Sequence, residues 1–340
     1  MPVDGGISVI LITRGRPALL RACLKSVVEG GGRPEIIAGV NGEDAASLSV
    51  LGSFGAAVRA VNLPRMCRGE ARNALAALAG GRWLCFLDDD TVLPSGYFAR
   101  LEALIRAEPG AAVFGGGQLL SPAAGSFEAA VYALLASPWG AGPFTERFSP
   151  VEGTRGAGPE KFILCNLTLD RRFLAAHSLS FEGHLSSAEE NLLLNRMAAA
   201  GARMVLSGDL NIVHRRRGDP AGFLRQVFSS GRGRAQITLL SPRGFSAFTL
   251  LPAAALFLAL PAAVQAAGLL IRAVCAYAAV SFAAAALSAA RPAVRPAVLM
   301  LFPALHVSYA VGWFYGVAEG LLERLSGRST PRRCRCEEMP

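Results

Sequence analysis

The first 115 residues alternate between two hydrophobic rhythms. Residues 7–12 are a mostly β-branched apolar run broken only by Ser8, and 35–40, 57–61 and 83–87 are short, mostly apolar runs. Runs of that length between polar turns predict strands buried on both faces of a parallel sheet. Between them the spacing becomes helical. Pro17 opens a stretch with Leu19, Leu20, Cys23, Leu24 and Val27 on one face, and Gly30-Gly31-Gly32 closes it. Residues 70–79 read as a second helix, stopped by Gly80-Gly81. Strands alternating with helices at this spacing predict βαβ units, hence an α/β fold on a mixed, mostly parallel Rossmann-like sheet. Further on, the pattern predicts a helix at 97–107, a strand at 111–114, a turn at Gly115-Gly116-Gly117 and a long Gly/Pro-rich loop over 137–160. It then predicts a strand at 162–169, a helix at 188–200 and one or two strands within 204–213. In 223–240, Phe223, Leu224, Val227 and Phe228 lie among arginines, which suits an amphipathic helix in a lipid headgroup layer.

The rhythm changes after 243. Residues 244–271, 273–290 and 296–318 carry no charged side chain, and each is close to the roughly 20 residues needed to cross a hydrocarbon core. The chain therefore divides into a domain over 1–243, a membrane domain of two to three helices over 244–320, and a basic tail over 321–340. Candidate transmembrane spans are 246–268, 269–290 and 297–317. Pro252, Pro261 and Pro303 are tolerable inside membrane helices. Gly312, Gly316 and Gly320, four residues apart, permit close helix packing. The arginines before 246, then Arg291 and Arg295, then Arg324, Arg328, Arg332, Arg333 and Arg335 all favour the cytoplasmic side. Three full crossings cannot satisfy them, so either the tail escapes the rule or one segment is re-entrant or interfacial.

Composition agrees with this division. The 340 residues allow about two domains. Hydrophobic residues make up 52% and charged residues 17%, below the roughly 25% charged of an average soluble domain. That excludes a disordered chain and argues against a purely soluble one. The net charge is +9, and only Lys25 and Lys161 are lysines, so the positive charge is almost all arginine, suited to forked recognition of phosphate. The seven cysteines are scattered and odd in number, so no disulfide framework is expected. Cys334-Arg-Cys336 is half of a zinc site at most. The N-terminus has neither the basic nor the apolar part of a signal peptide. The expectation is a multi-pass protein of the inner or plasma membrane with its N-terminal domain in the cytoplasm. There is no G-x-x-x-x-G-K-[ST] loop and no G-x-G-x-x-G after the first strand, which disfavours ATPase and dinucleotide roles.

The most informative chemistry is Asp88-Asp89-Asp90, directly behind the apolar run at 83–87. In an open α/β sheet, ligands bind beyond the carboxyl ends of the strands. Three adjacent acids repel one another unless a cation is present. A hard divalent ion, Mg²⁺ or Mn²⁺, would relieve the repulsion and bridge to substrate phosphates. The plainer alternative is a solvated turn with Asp90 capping a short helix.

Those acids have company. The run at 7–13, the helix segment Ala71-Arg72-Asn73-Ala74-Leu75 and the stretch 79–94, which ends in D-D-D-x-x-x-P, occur in a specific order. In this the chain resembles the nucleotide-sugar-binding half of glycosyltransferase family 2, which has the GT-A fold. The likeness extends through Asn166 and Ala188-Glu189-Glu190-Asn191 to His214, about two thirds of the chain. The resemblance implies roles. Asp88 would lie near the donor ribose and share the metal with Asp90, His214 would complete the metal shell, and Asp89 would belong to the donor site. Thr13 and Arg14 would line the nucleoside pocket, Asn41 would meet the base, and Arg72 and Asn73 would face the donor. Glu190 stands where the family has its catalytic Asp, with Glu189 and Asn166 on the acceptor side. A carboxylate there takes the acceptor hydroxyl's proton during inverting transfer. The alternative is two acids placed by the helix macrodipole alone. Arg215 to Arg217 would neutralise the leaving diphosphate, and Arg232 would reach the donor. Arg225, Arg232, Arg234 and Arg243 equally suit a membrane surface. The implied activity is metal-dependent inverting transfer of a sugar from a nucleotide-diphosphate donor to a lipid-linked or cell-envelope glycan acceptor. Membrane lipids are expected partners and nucleic acid is not. The alternative is a non-catalytic, membrane-tethered scaffold or regulator of the same fold.

Overall fold

The computed structural model describes residues 5–183, 185, 187–240, 247–265 and 267–325. Strands β1 (Ile7–Thr13), β2 (Glu35–Asn41), β3 (Arg59–Leu63) and β4 (Trp83–Asp88) lie parallel in the order β3-β2-β1-β4. With neighbours on both sides, β1 is buried continuously from Ile7 to Leu11, which is why its apolar run does not alternate. Helices α1 (Pro17–Glu29), α2 (Ala45–Gly52) and α3 (Arg68–Ala77) link these strands. The hydrophobic pattern does not announce α2. Asp44 starts it by accepting from Ser47 N at 3.0 Å and also accepts from Gly15 N at 2.6 Å, which ties the ends of β1 and β2 together. β3 begins two residues later than the run at 57–61 predicts. It is an edge strand with Arg59, Ala60 and Asn62 exposed, so burial leaves little pattern on it.

After β4 come β5 (Thr91–Val92), α4 (Tyr97–Ala107), β6 (Ala111–Gly115) and β7 (Gln118–Leu119). The second half adds α5 (Ser126–Leu135), α6 (Pro138–Ala141), β8 (Thr154–Gly156), β9 (Leu167–Asp170) and α7 (Arg171–Ala176). It ends with α8 (Glu189–Ala199), β10 (Arg203–Ser207) and β11 (Ile212–His214). β9 enters antiparallel between β4 and β6, so the sheet is mixed, β3-β2-β1-β4-β9-β6-β10-β8. Within the apolar run at 162–169 only Leu167 onward is strand, because Leu164–Asn166 turns as a 3₁₀ segment. The expected loop at 137–160 contains α6 and β8. β11 joins β5 and β7 in a small second sheet, with His214 opposite Thr91, and this delivers His214 to the acidic turn after β4.

Four helices follow: α9 (Pro220–Leu240), α10 (Ala247–Gln265), α11 (Ala267–Leu287) and α12 (Arg295–Leu325). Two stretches, Gly268–Leu287 and Pro292–Leu322, are long and apolar enough to cross a membrane. They match the expected spans at 269–290 and 297–317. The expected span at 246–268 is helical over Ala247–Gln265, with a shorter apolar stretch, Ala247–Ala259. Ser246, Arg243, Arg328, Arg332, Arg333, Arg335 and the Cys334-Arg-Cys336 motif lie outside the described residues.

The two candidate spans differ. The apolar window of Gly268–Leu287 is 11% buried and that of Pro292–Leu322 is 33% buried, because α12 lies along α9. A Cβ on Gly312 would stand 2.1 Å from Phe228 O, one on Gly231 2.1 Å from Tyr309 O, and one on Gly316 2.6 Å from Arg232 O. The four-residue glycine repeat thus seats α12 on α9. Val131 and Leu134 of α5, Phe223 and Val227 of α9, and Val298, Phe302 and Leu305 of α12 share one core. That core crosses the boundary expected at 243. Of the apolar side chains of α9 expected to meet lipid headgroups, Phe223 and Val227 are covered by protein instead, while Leu224 stays exposed.

Candidate functional site

The site forms where β4 and β11 end. His214 Nε2 lies 2.9 Å from Asp90 Oδ1, and His214 Nδ1 lies 2.9 Å from Gln118 Oε1. An amide oxygen only accepts, so Nδ1 carries the proton of that contact and Nε2 is turned to the acids. The other oxygen of Asp90 accepts from Arg16 Nη1 at 2.5 Å. Burial alone would raise the Asp90 carboxyl, but His214 and Arg16 hold it well below the usual range, so it is anionic.

Asp88 ends β4 and remains partly open, with Arg72 Nη2 at 3.2 Å. Arg72 also binds Glu189, the first residue of α8. One buried guanidinium therefore joins the acidic turn of the first half to the acidic helix start of the second. Glu190 is next. Its Oε1 accepts from Asn191 Nδ2 at 2.9 Å. Burial, then Glu189, pushes its carboxyl up, while Arg147 and Arg234 oppose the rise. Ala188, just before the pair, sits at φ 63°, ψ 23°. A side chain in this left-handed region costs about 1–2 kcal/mol, and such strain collects at functional sites.

Several residues expected to face a donor spend their polar atoms on the protein. Asp89 is fully buried, accepts from Thr13 Oγ1 at 2.6 Å and pairs with Arg16. Burial pushes its carboxyl up to about 7 against the pull of Arg16. Asp89 and Thr13 are thus the support of the acidic turn, since alternation turns the middle acid inward. Asn41 binds Met66 through both amide atoms, at 2.9 and 3.0 Å. Asn73 does the same with Phe181, at 2.8 and 3.1 Å. These amides fasten loops. Asn166 is buried between Tyr97 Oη and Leu210 O, both at 2.6 Å. The Arg215 fork closes on Glu128 at 2.9–3.2 Å. Arg232 closes on Glu319 of α12 at 2.6 and 2.8 Å. Arg14 is exposed at the end of β1, within electrostatic reach of Asp44.

Other residues complete the site, and of these Arg147, Gln118, Glu128 and Cys165 were not singled out by the sequence. Arg216 stacks on Phe148 at 5.1 Å, and its buried Nε and Nη2 have no hydrogen-bond partner among the described residues. Burial lowers its pKa, against the attraction of Cys165 and Asp90. Arg147 is buried and set on the carbonyls of Pro159 and Glu160. Arg234 donates to Asn191 Oδ1 at 3.0 Å and covers Phe144. Gln118 and Glu128 had a faint signal, each a lone polar residue in an apolar or glycine-rich setting. Cys165 had none. It lies with Asp88 and His214 so that one ligand atom from each falls within 4.8 Å of the others. This donor set fits a divalent cation. A shallow cavity of about 290 Å³ at Gly81, Arg82 and Arg171 opens at the opposite end of β4 and lacks these acids.

Residues 8–121 match the family model described as Glycosyl transferase family 2. Over that stretch the chain is similar to this glycosyltransferase family. No curated protein matches the chain by sequence. Among solved structures it is similar to the mannosyltransferase PcManGT from Pyrobaculum calidifontis in complex with GDP-Man and Mn²⁺. That likeness has a TM-score of 0.54 at 16% identity and covers 95% of this chain and 88% of that one. It is also similar to S. aureus TarS 1-349 in complex with UDP-GlcNAc. There the TM-score is 0.52 at 15% identity, over 95% of this chain and 92% of the other. The fold is GT-A, with apolar helices appended, and the protein is a glycosyltransferase.

Proposed function

We propose that this glycosyltransferase moves a sugar, with inversion, from a nucleotide-diphosphate donor to an acceptor hydroxyl carried on a lipid or a cell-envelope glycan. The observation that carries the reading is the bridge Asp88–Arg72–Glu189, which sets an acidic donor end beside the helix start that bears Glu190. Asp88, Asp90 and His214 would hold the divalent ion. When bound, that ion supplies positive charge to the donor diphosphate as negative charge develops on it.

The chain's own residues do the rest. Glu190, ionised, takes the proton of the acceptor hydroxyl as that oxygen bonds to the anomeric carbon. The bond from that carbon to the diphosphate breaks on the opposite face, which inverts the centre. Arg216 and Arg217 stand in for Arg215 as the cations for the leaving diphosphate. Arg216 has two buried donor nitrogens without a partner among the described residues, and Arg217 lies in electrostatic reach of Asp90 and Asp89. The supporting likenesses are a mannosyltransferase structure holding GDP-Man and Mn²⁺ and a TarS structure holding UDP-GlcNAc. A membrane setting is supported by the exposed apolar side chains of α11, such as Ile271, Val274 and Phe282, and the arginines flanking the candidate spans would put the catalytic domain on the cytoplasmic face.

The test is a thermal-shift panel of nucleotide sugars with and without Mn²⁺ or Mg²⁺, on the full chain in detergent. A ligand that binds only the folded chain raises its melting temperature with occupancy. The expected result is one donor class whose shift needs the ion and vanishes in Asp90→Ala. Ion-independent shifts that survive Asp90→Ala would overturn the metal assignment. NMR of the product's anomeric proton then reads inversion or retention.

A further inference from the structure

The divalent-ion site has an unexpected third kind of donor. Asp88, His214 and Cys165 each present a ligand atom within 4.8 Å of the other two. They come from three separate places, the end of β4, the end of β11 and the 3₁₀ turn before β9. An oxygen, a nitrogen and a sulfur converge there.

The surroundings hold the sulfur in place. Gln118 is fully buried; its Nε2 donates to Cys165 Sγ at 3.3 Å while its Oε1 faces His214 Nδ1 at 2.9 Å. One amide thus orients two of the three ligands, as outer partners of metal ligands commonly do. The Cys165 carbonyl accepts from Thr91 Oγ1 at 3.4 Å, beside the strand that pairs with His214. The buried Nε and Nη2 of Arg216, which have no hydrogen-bond partner among the described residues, lie in electrostatic reach of Cys165 as well as Asp90. Unsatisfied buried donors are costly unless an anion comes close.

We propose that Cys165 is a ligand of the divalent-ion site, which makes it a mixed oxygen, nitrogen and sulfur site selective for thiophilic ions over Mg²⁺. On ion uptake the S–H bond ionises, the sulfur keeps the electron pair and bonds to the ion, and the proton passes to water. Hard Mg²⁺ gains little from sulfur, whereas Zn²⁺ and Cd²⁺ gain most and Mn²⁺ sits between. This inference rests on the divalent-ion reading above.

The experiment uses the full chain in detergent, in a Cys334→Ser/Cys336→Ser background, so that the tail thiols contribute nothing. Cd²⁺ is titrated while the ultraviolet thiolate-to-cadmium band is followed, and Mn²⁺ is titrated separately by the loss of the free-ion paramagnetic signal. The expected result is a band that saturates at one equivalent. Cys165→Ser should abolish it and weaken Cd²⁺ binding roughly tenfold or more, with Mn²⁺ affected much less. Mn²⁺ binding without a cadmium band, or a band that survives Cys165→Ser, overturns the sulfur ligand and leaves the ion site standing. Failure of both ions to bind overturns the two readings together.

Discussion

His214 and Asp90 meet at 2.9 Å across the ends of two strands from different sheets, although 124 residues separate them in the chain. The contact exists because Gln118 fixes the far side of the imidazole. Gln118→Leu should therefore free the ring and lower divalent-ion affinity by roughly 10–100-fold without removing a carboxylate or the imidazole. Mn²⁺ titration by calorimetry measures this, and unchanged affinity would show that the amide has no such role.

Glu190→Gln keeps the shape of the α8 start and removes the proton acceptor. Transfer should fall by roughly 10²–10⁴-fold, while the donor-induced melting shift stays within a degree or so of the parent chain. Loss of donor binding in the same variant would place Glu190 on the donor side instead.

The acid limb of the rate should reflect the same carboxylate. Burial and Glu189 raise the Glu190 pKa, and Arg147 and Arg234 restrain it. A base works only when ionised, so activity is expected to rise with pH through a midpoint above the ordinary glutamate range. Arg234→Gln removes one restraint and should move that midpoint further up. A kcat/KM profile of both chains decides it, and a downward move would contradict the charge argument.

Arg216 gives a trade between folding and binding. Its buried Nε and Nη2 find no partner among the described residues, and an unsatisfied buried donor costs about 1–3 kcal/mol. Arg216→Met should raise the melting temperature of the donor-free chain and weaken donor binding at the same time. A variant that melts lower, or binds donor equally well, would mean that the guanidinium has another partner.

Gly312 tests the seat of α12. A Cβ there would stand 2.1 Å from Phe228 O, so Gly312→Val must part α12 from α9. The expected loss is about 1–3 kcal/mol, seen as a lower melting temperature in detergent. An unaltered melting curve would mean that the two helices are not closely packed in solution.

The parallel strands and the helices α1 and α3 were legible because burial on both faces writes a nearly continuous apolar run, as in Ile7 to Leu11 with only Ser8 polar. The capped helix α2 and the short strands β5 and β7 were not, since few of their residues are buried, and the edge strand β3 was legible only with its start two residues early. At the site, residue types pointed to the acids, His214 and Glu190. They could not tell which polar side chains look outward. Asn41 and Asn73 carry the right chemistry for a nucleotide and direct it at Met66 and Phe181. Arg215 and Arg216 are adjacent and alike in sequence, yet only Arg215 meets the buried carboxylate of Glu128 with its fork. Partner geometry of that kind depends on contacts tens of residues apart and leaves no local pattern.

The core shared by α5, α9 and α12 makes the stem of this molecule one wall of its head. Were α11 set in lipid, as the proposed membrane setting requires, the head could not bob or swivel freely, and Glu190 would keep a fixed altitude over the bilayer. A hydroxyl tethered in that membrane would arrive at a nearly constant height, so a stiff stem would convert a search through volume into a search over a plane.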